Sequence, residues 1–197
     1  MISLRRPSTE TIRDFLASQS NLGFTFRAVG ATASQPPAGY TMDHTRVKLG
    51  DGASVFTRAK AALRRWDQFR LGWMEAWSPK TAIEPGDPVA IIAWNLGLWW
   101  LNACRVVYVV DEGEPIRRYG YASGTLPAHA GEGEERFLVE WNRASEEVWY
   151  DILAFSRPHG MLARLGHPYM RRVQKRFGRE SAGATLRAVG NEANEMA

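Results

Sequence analysis

Tyr119 to Phe137 read YGYASGTLPAHAGEGEERF, and this stretch decides the fold because its pattern changes twice. Tyr119 and Tyr121 alternate with small residues, as in a half-buried strand. Glycines and one proline follow, and they favour a defined turn over an unstructured segment. The alternating pattern resumes at Arg136. The stretch therefore predicts two strands joined by a glycine-rich loop, and this loop contains His129.

Three glutamates accompany His129 in the predicted loop: Glu132, Glu134 and Glu135. One histidine followed by scattered glutamates matches no zinc-ligand spacing, so we predict no metal site. The carboxylates could cap backbone amides or face water, as in an ordinary hairpin connection. Alternatively, His129 and Glu135 could serve as candidate catalytic acid and base, or contact the polar group of a ligand. The sequence leaves these interpretations open.

The whole chain has the size and composition of one folded domain, residues 1–197. It contains 45% hydrophobic residues and eight tryptophans, enough apolar surface for a substantial core. Its single cysteine, Cys104, lies among apolar residues, which predicts a buried and unreactive thiol. One cysteine cannot form an internal disulfide, and the first residues lack an apolar signal segment. We therefore expect a cytoplasmic protein.

Periodicity predicts the remaining elements. Helices are expected at 8–18, where Ser8 can cap the first turn, at Ala53–Trp66, and along a C-terminal segment that begins near Met161. Residues 190–197 are expected to form a frayed tail. The extended segments predicted outside the opening stretch are Leu22–Val29, Tyr40–Leu49, Trp73–Ser78, Val89–Trp94, Leu98–Val110 and Glu146–Phe155.

The 22 residues Val89–Val110 are apolar enough to suggest a membrane helix. Asn95, Asn102 and Arg105 interrupt them, however, and an arginine at that depth would be costly in lipid. The run is rich in β-branched and aromatic residues, and it breaks at Asn95-Leu-Gly97. It therefore predicts two buried strands and no membrane span.

Short connections between successive strands require antiparallel pairing. A long helix packed across a curved sheet would bury the apolar faces of both. We therefore predict an α+β fold in which a curved antiparallel sheet wraps around the long C-terminal helix.

Six short motifs are spread along the chain: Pro37–Tyr40, Leu49–Gly52, Cys104–Val110, Tyr121–His129, Gly133–Glu135 and Phe155–Pro158. Together they resemble uncharacterised protein family 0548, a domain-of-unknown-function family of bacteria and plants. The resemblance runs in register from about Gly23 to Val189. The family has no established activity, so the resemblance brings no function with it.

The order of elements is similar to that of the helix-grip superfamily, which includes lipid-transfer START domains, birch-pollen-type allergens and polyketide cyclases. In those proteins a curved antiparallel sheet and a long C-terminal helix enclose an apolar cavity. The resemblance rests on element order alone. It implies a pocket for a hydrophobic or amphipathic ligand, although a fold does not determine a function.

Arg105 is an unusual residue for a predicted apolar strand. Period two places it on the same face as Val109 and opposite to Tyr108. It could pair with an acidic residue on a neighbouring strand. It could equally lie in a pocket and bind an anionic headgroup, carboxylate or phosphate through two hydrogen bonds.

The formal charge of +4 is unevenly distributed. Arg157–Val189 contains eight basic residues and one acidic residue, whereas the remainder contains 17 basic and 20 acidic residues. The basic character belongs to the C-terminal helix, so nucleic-acid binding is not expected. This helix could present a solvated face or contact anionic lipid. The chain has no Walker or dinucleotide glycine pattern, and we expect no cofactor.

Three functions are compatible with these features. The first is binding of a small hydrophobic or amphipathic molecule in an internal cavity. The second is an enzyme with cyclase- or hydrolase-like acid–base chemistry, in which His129 or Glu135 acts as the base. The third is an interaction module that uses the basic helix. The residues predicted to contact a ligand are Arg105, Tyr121, Thr125, His129 and Glu135.

Overall fold

The computed structural model describes residues 1–78, 82–158 and 166–195. Its helices are α1 (Thr9–Gln19), α2 (Gly52–Arg64) and α3 (His167–Glu195). Its strands are β1 (Ile2–Ser3), β2 (Thr41–Asp51), β3 (Met74–Trp77), β4 (Pro88–Asn95), β5 (Leu98–Glu112), β6 (Ile116–Thr125), β7 (Gly131–Asn142) and β8 (Glu147–Pro158). The predicted start of the last helix near Met161 lies outside the described residues.

All strands join one antiparallel sheet in the order β2–β8–β7–β6–β5–β4–β3, and β1 pairs with β5. Connections of two to five residues link the consecutive strands from β4 to β8, whereas β2 reaches the far edge beside β8. The predicted apolar run is the β4–β5 hairpin, in which Trp94 pairs with Trp99. No helix within the described ranges is long and apolar enough to cross a membrane.

The sheet has two different faces because side chains alternate along each strand. The concave face carries the larger core, which includes Phe137 and Tyr150 and is covered by α2 and α3. The convex face carries a smaller cluster, in which Ile12 and Leu16 of α1 pack on β4 and β5. The predicted α+β fold, a curved antiparallel sheet wrapped around a long C-terminal helix, is confirmed.

The predicted N-terminal helix is also confirmed. Ser8 caps α1, because its hydroxyl accepts a hydrogen bond from the backbone N–H of Thr11 at 3.1 Å. The structure differs from the prediction at the opposite terminus. Helix α3 continues to Glu195, so residues 190–195 are helical, whereas the sequence predicts a frayed tail there.

The segment predicted to be extended at Leu22–Val29 is not a strand. It crosses the convex face as a loop, and the backbone N–H of Thr25 donates a hydrogen bond to the carbonyl of Thr125 at 3.1 Å. Phe24 and Phe26 pack against each other in this loop, with ring centroids 5.6 Å apart.

The glycine-rich loop of the opening stretch is shorter than predicted, because β7 begins at Gly131 and not at Arg136. Gly133 lies inside the strand with φ 150°, a value that L side chains rarely adopt. A Cβ atom there would lie 2.0 Å from the carbonyl oxygen of Phe155 on β8. This glycine therefore permits close strand pairing and does not make a turn.

Candidate functional site at the open end of the concave face

The three glutamates of the opening stretch belong to β7, and alternation separates them. Glu135 is on the concave face, in the same row across the sheet as Ser123 and Ala154. Glu132 and Glu134 point to the opposite side. The structure therefore does not gather these carboxylates into one cluster.

Glu134 caps the backbone of the loop on the convex face. Its carboxylate accepts hydrogen bonds from the N–H groups of Gly30, at 2.6 Å, and Thr32, at 2.9 Å. Glu132 pairs with Arg157 and accepts a hydrogen bond from the Tyr40 hydroxyl at 3.2 Å. Both carboxylates therefore have structural roles, as in the hairpin interpretation of the sequence.

Glu135 has a different environment. Within the described ranges, no group donates a hydrogen bond to its carboxyl, and its side chain is only partly exposed. Burial raises the pKa of Glu135 to about 8, and the negative charge of Asp43 contributes to the rise. The carboxyl is therefore mostly protonated at neutral pH and can donate a hydrogen bond.

The surroundings of Glu135 define what we call the open end of the concave face. Its polar residues are partly exposed although they face the interior. They are Asp43, Ser123, Glu135, Ser156 and Gln174. The residues next to them along the strands form the closed end, where aromatic rings fill the space. These are Phe69, Tyr121, Phe137, Tyr150 and Phe177.

Polar contacts hold the first turns of α3 over the open end. The Arg171 guanidinium forms a two-point ion pair with the Asp43 carboxylate, with Nη2 2.7 Å from Oδ1. Gln174 donates a hydrogen bond to the Ser156 hydroxyl at 2.9 Å. Together with the hydrogen bond from the Tyr169 hydroxyl to the Asn95 side chain on the β4–β5 hairpin, these contacts form what we call the α3 clasp.

A narrow cleft lies beside the clasp. Its lining residues include Gly131, Ser156, Met170 and Gln174. Its volume is about 20 Å³, which is enough for about one water molecule. The open end is therefore accessible but nearly closed in this conformation.

Tyr121 and Thr125 lie on β6 but are both engaged within the protein. Tyr121 is fully buried in the closed end, and its hydroxyl accepts a hydrogen bond from Gln68 at 2.6 Å. Burial raises the pKa of Tyr121 well above its usual value, so it stays neutral. The Thr125 hydroxyl bonds with the Thr25 hydroxyl at 2.6 Å and accepts a hydrogen bond from the Gly133 N–H at 3.0 Å.

Arg105 lies on the convex face and is not brought together with Glu135. Its guanidinium donates hydrogen bonds to the carbonyl oxygens of Gln19, at 3.1 Å, and Ser20, at 2.6 Å. These carbonyls belong to the C-terminal end of α1, where a positive charge is favourable. The structure thus gives Arg105 a partner that neither interpretation of the sequence included.

His129 lies in the turn between β6 and β7. Its Nδ1 accepts a hydrogen bond from the N–H of Gly131 at 3.0 Å. Glu135 is four positions after Gly131 along β7, a distance of about 13 Å. The two candidate catalytic residues are therefore too far apart for direct proton transfer between them.

No group of three or more histidine, cysteine, aspartate or glutamate side chains in the described part of the chain could hold a metal ion. Burial raises the pKa of the Cys104 thiol to about 12, so this residue stays protonated. The remaining candidates for chemistry or recognition are therefore the residues of the open end.

Sequence reasoning named Glu135 but missed Asp43, Arg171, Gln174 and Ser156 as its neighbours. One signal was available, because alternation in β2 places Asp43 on the same face as the core residue Leu49. The contribution of α3 could not be found this way, because the rotation of a helix over a sheet depends on packing.

Comparison with known proteins identifies the family. A family model described as "Domain of unknown function (DUF1990)" matches residues 25–184. The chain belongs to this family. The resemblance to protein family 0548 is likewise confirmed. A UPF0548 protein of Dictyostelium discoideum is 30% identical over 212 residues, covering 98% of each chain. One of Arabidopsis thaliana is 37% identical over 155 residues, covering 77% of this chain and 74% of the relative.

Solved structures of other proteins are similar to this DUF1990 protein at low sequence identity. Human STARD10 is 10% identical, with a TM-score of 0.49 over 98% of this chain and 85% of its own. Ara h 8.0201 is 12% identical, with a TM-score of 0.47 over 75% of this chain and 99% of its own. The DUF1990 description names no activity, and these similarities concern the fold alone.

Proposed function

We propose that this DUF1990 protein binds a small amphipathic molecule between the sheet and α3, with the polar group of that molecule at Glu135. One observation carries the proposal. A carboxyl with a raised pKa faces the concave side of the sheet, and no described group donates a hydrogen bond to it. A polar group that is partly removed from water gains from a hydrogen-bond partner, and a ligand would supply that partner.

The chemistry of the open end favours a particular kind of ligand. The protonated Glu135 offers a hydrogen-bond donor, so it suits a carbonyl, amide or hydroxyl oxygen. Ala154 provides partly exposed apolar surface on the neighbouring strand. Arg171, the cation of the α3 clasp, is already paired with Asp43. A neutral polar group joined to an apolar body therefore fits better than an anion.

Entry of such a ligand requires the cleft to widen. The α3 clasp consists of an ion pair and hydrogen bonds, which water can replace when they open. The apolar packing of Phe177 in the closed end need not be disturbed. We therefore propose that the first turns of α3 lift from the sheet while the rest of the helix remains packed.

A second candidate function is acid–base catalysis at Glu135. A pKa of about 8 suits a group that must both release and accept a proton near neutral pH. His129 lies too far along the chain to complete a direct pair, so Glu135 would act alone or through water. This function requires the same open end and therefore shares the test of ligand binding.

Native mass spectrometry of the purified protein tests the proposal, followed by extraction and identification of any bound molecule. We expect a stoichiometric amphipathic molecule in the wild type and its loss in Glu135→Leu, which has no hydrogen-bond donor. Glu135→Gln should keep the ligand, because its amide N–H can donate in place of the protonated carboxyl. A Glu147→Leu variant is the control, because Glu147 pairs with Lys48 at the other end of β8.

Two results would contradict the proposal: an unliganded wild type that shows no thermal shift with neutral amphiphiles, or equal binding by wild type and Glu135→Leu. Turnover of a bound molecule that stops in Glu135→Gln would favour the catalytic function. The cytoplasmic location remains a prediction, which cell fractionation would test.

A further inference from the structure

The β4–β5 hairpin ends in a turn that is unfavourable for its sequence. Leu96 and Gly97 have φ values of 54° and 74°, which is typical of a type I′ turn. Asn, Asp or Gly normally occupies the first of these positions, because a positive φ is unfavourable for leucine. Leu96 is also 68% exposed. Neither property stabilises the free protein, so this residue indicates a contact outside it.

Other apolar side chains surround Leu96. Trp94 is 41% exposed, and its ring lies 5.2 Å from that of Trp99. Strand β1 pairs with β5 at Trp99 and Trp100. It contains Ile2, which is 53% exposed, and is followed by Leu4, which is 80% exposed. We call these five residues the hairpin tip. Single exposed apolar residues are common, but several of them at the end of one hairpin, on both of its faces, indicate an interaction site.

Basic residues flank the hairpin tip. The Tyr169 hydroxyl contacts Asn95 at the base of the turn, so the first turns of α3 lie beside the tip. Arg172 is three residues after Tyr169 and projects from a neighbouring face of the helix. Arg172, Lys175 and Arg5 are exposed, and none of them forms an ion pair with a described residue.

We propose that the hairpin tip inserts into the surface of an anionic lipid bilayer. Tryptophans favour the bilayer interface, Leu96 would enter the acyl region, and the flanking cations would contact lipid phosphates. Charge selects this occupant over a second copy of the chain, because two identical tips would bring like charges together. The inference does not require a ligand at the open end.

The hairpin tip and the open end lie at the same end of the sheet. Strand β5 starts near the tip. Its first six residues come before its first pair with β6, which is at Cys104. Strands β7 and β8 have their cleft-lining residues at that same end. A bilayer bound at the tip would therefore face the cleft.

Vesicle flotation with the full chain tests the inference. The vesicles contain phosphatidylcholine alone or phosphatidylcholine mixed with phosphatidylglycerol. We expect binding to the anionic vesicles that weakens as salt concentration rises. Leu96→Asn is the decisive variant, because Asn-Gly is a favoured type I′ pair. It should raise the melting temperature while lowering the affinity for vesicles about tenfold. These opposite effects separate membrane binding from folding.

A fluorescent label locates the insertion. Leu96→Cys can be labelled with an environment-sensitive dye, because the native Cys104 is buried. Gly113→Cys, in the exposed turn between β5 and β6, is the control at the other end of the sheet. We expect a blue shift with anionic vesicles at position 96 and none at 113. Arg172→Glu with Lys175→Glu should reduce binding about fivefold for each charge.

Three results would overturn the inference. The first is the absence of wild-type binding to anionic vesicles at low salt. The second is equal vesicle binding by wild type and Leu96→Asn. The third is self-association that Leu96→Asn abolishes without any vesicle binding, which would make a second copy of the chain the occupant of the tip.

Discussion

The two ends of the concave face lie next to each other on the same strands but are built differently. In one row across the sheet, Tyr121, Phe137 and Ile152 are buried and fill the closed end. In the next row, Ser123, Glu135 and Ala154 remain partly exposed. A shift of two residues along each strand thus separates a packed core from a candidate binding site. The difference shows that, on one face of a sheet, one row of residues can stabilise the fold while the next row remains available for recognition.

The largest expected effect is on the closed end. Phe137 is fully buried, and its ring contacts those of Phe69, Tyr121 and Phe177. Phe137→Ala should reduce the free energy of unfolding by about 3–5 kcal/mol, because it leaves a cavity that the sheet cannot close. Denaturant unfolding measures this loss. A cost below about 1 kcal/mol would mean that the closed end is not a packed core.

The next effect concerns pH at the open end. The pKa of Glu135 is about 8 in the folded protein and near 4.5 when unfolded. Below pH 4.5 both states hold the proton, whereas between these values only the folded state does. Stability should therefore fall by roughly 3 kcal/mol as pH rises from about 5 to 8.

Glu135→Gln should remove most of this slope and be more stable than the wild type at pH 8. Urea unfolding at several pH values compares the two proteins. Parallel curves for wild type and variant would show that Glu135 is not the group responsible.

A smaller effect should distinguish the hydrogen bonds of the two ends. The Tyr150 hydroxyl bonds with the buried Ser181 hydroxyl at 3.0 Å, so Tyr150→Phe should cost about 1 kcal/mol. Ser156→Ala should cost less, because Gln174 at the open end can bond to water. Thermal unfolding of both variants ranks them, and the reverse order would contradict the assignment of open and closed ends.

The smallest effect is a change in one titration. The charge of Asp43 contributes to the raised pKa of Glu135, so Asp43→Asn should lower that pKa. Carbon-detected NMR of the Glu135 carboxyl would follow it directly. Glu147→Gln serves as the control, because Glu147 lies at the other end of β8. An unchanged pKa in Asp43→Asn would leave burial as its only cause.

Much of the fold follows from the sequence because its signals are local. Alternation and turn residues predict the β4–β5 hairpin, and a serine followed by an apolar stripe predicts α1. Arg105 shows where local signals fail. Period two places it on the same face as Val109, but the register shifts between Val106 and Tyr108. After this irregularity Val109 faces the core, whereas Arg105 faces α1.

The site was only partly predictable, because it also depends on strand bounds and packing that local sequence signals do not give. Glu135 was a candidate from the start, but its neighbour Glu134 had the same local sequence signal. Because β7 extends back to Gly131, Glu135 alternates in step with the core residue Phe137 and faces the core, whereas Glu134 does not. The partners from α3 depend on how a distant helix crosses the sheet, and no nearby residue encodes that arrangement.

Helix α3 is attached to the sheet unequally along its length. The α3 clasp holds its first turns through polar contacts, whereas Phe177, Ala182 and Val189 anchor the remainder by burial. Local opening is easiest where few apolar contacts must break. Backbone amides near Gln174 should therefore exchange hydrogen with solvent long before those near Ala182. One continuous helix would then open as two separate units, the first turns often and the remainder rarely.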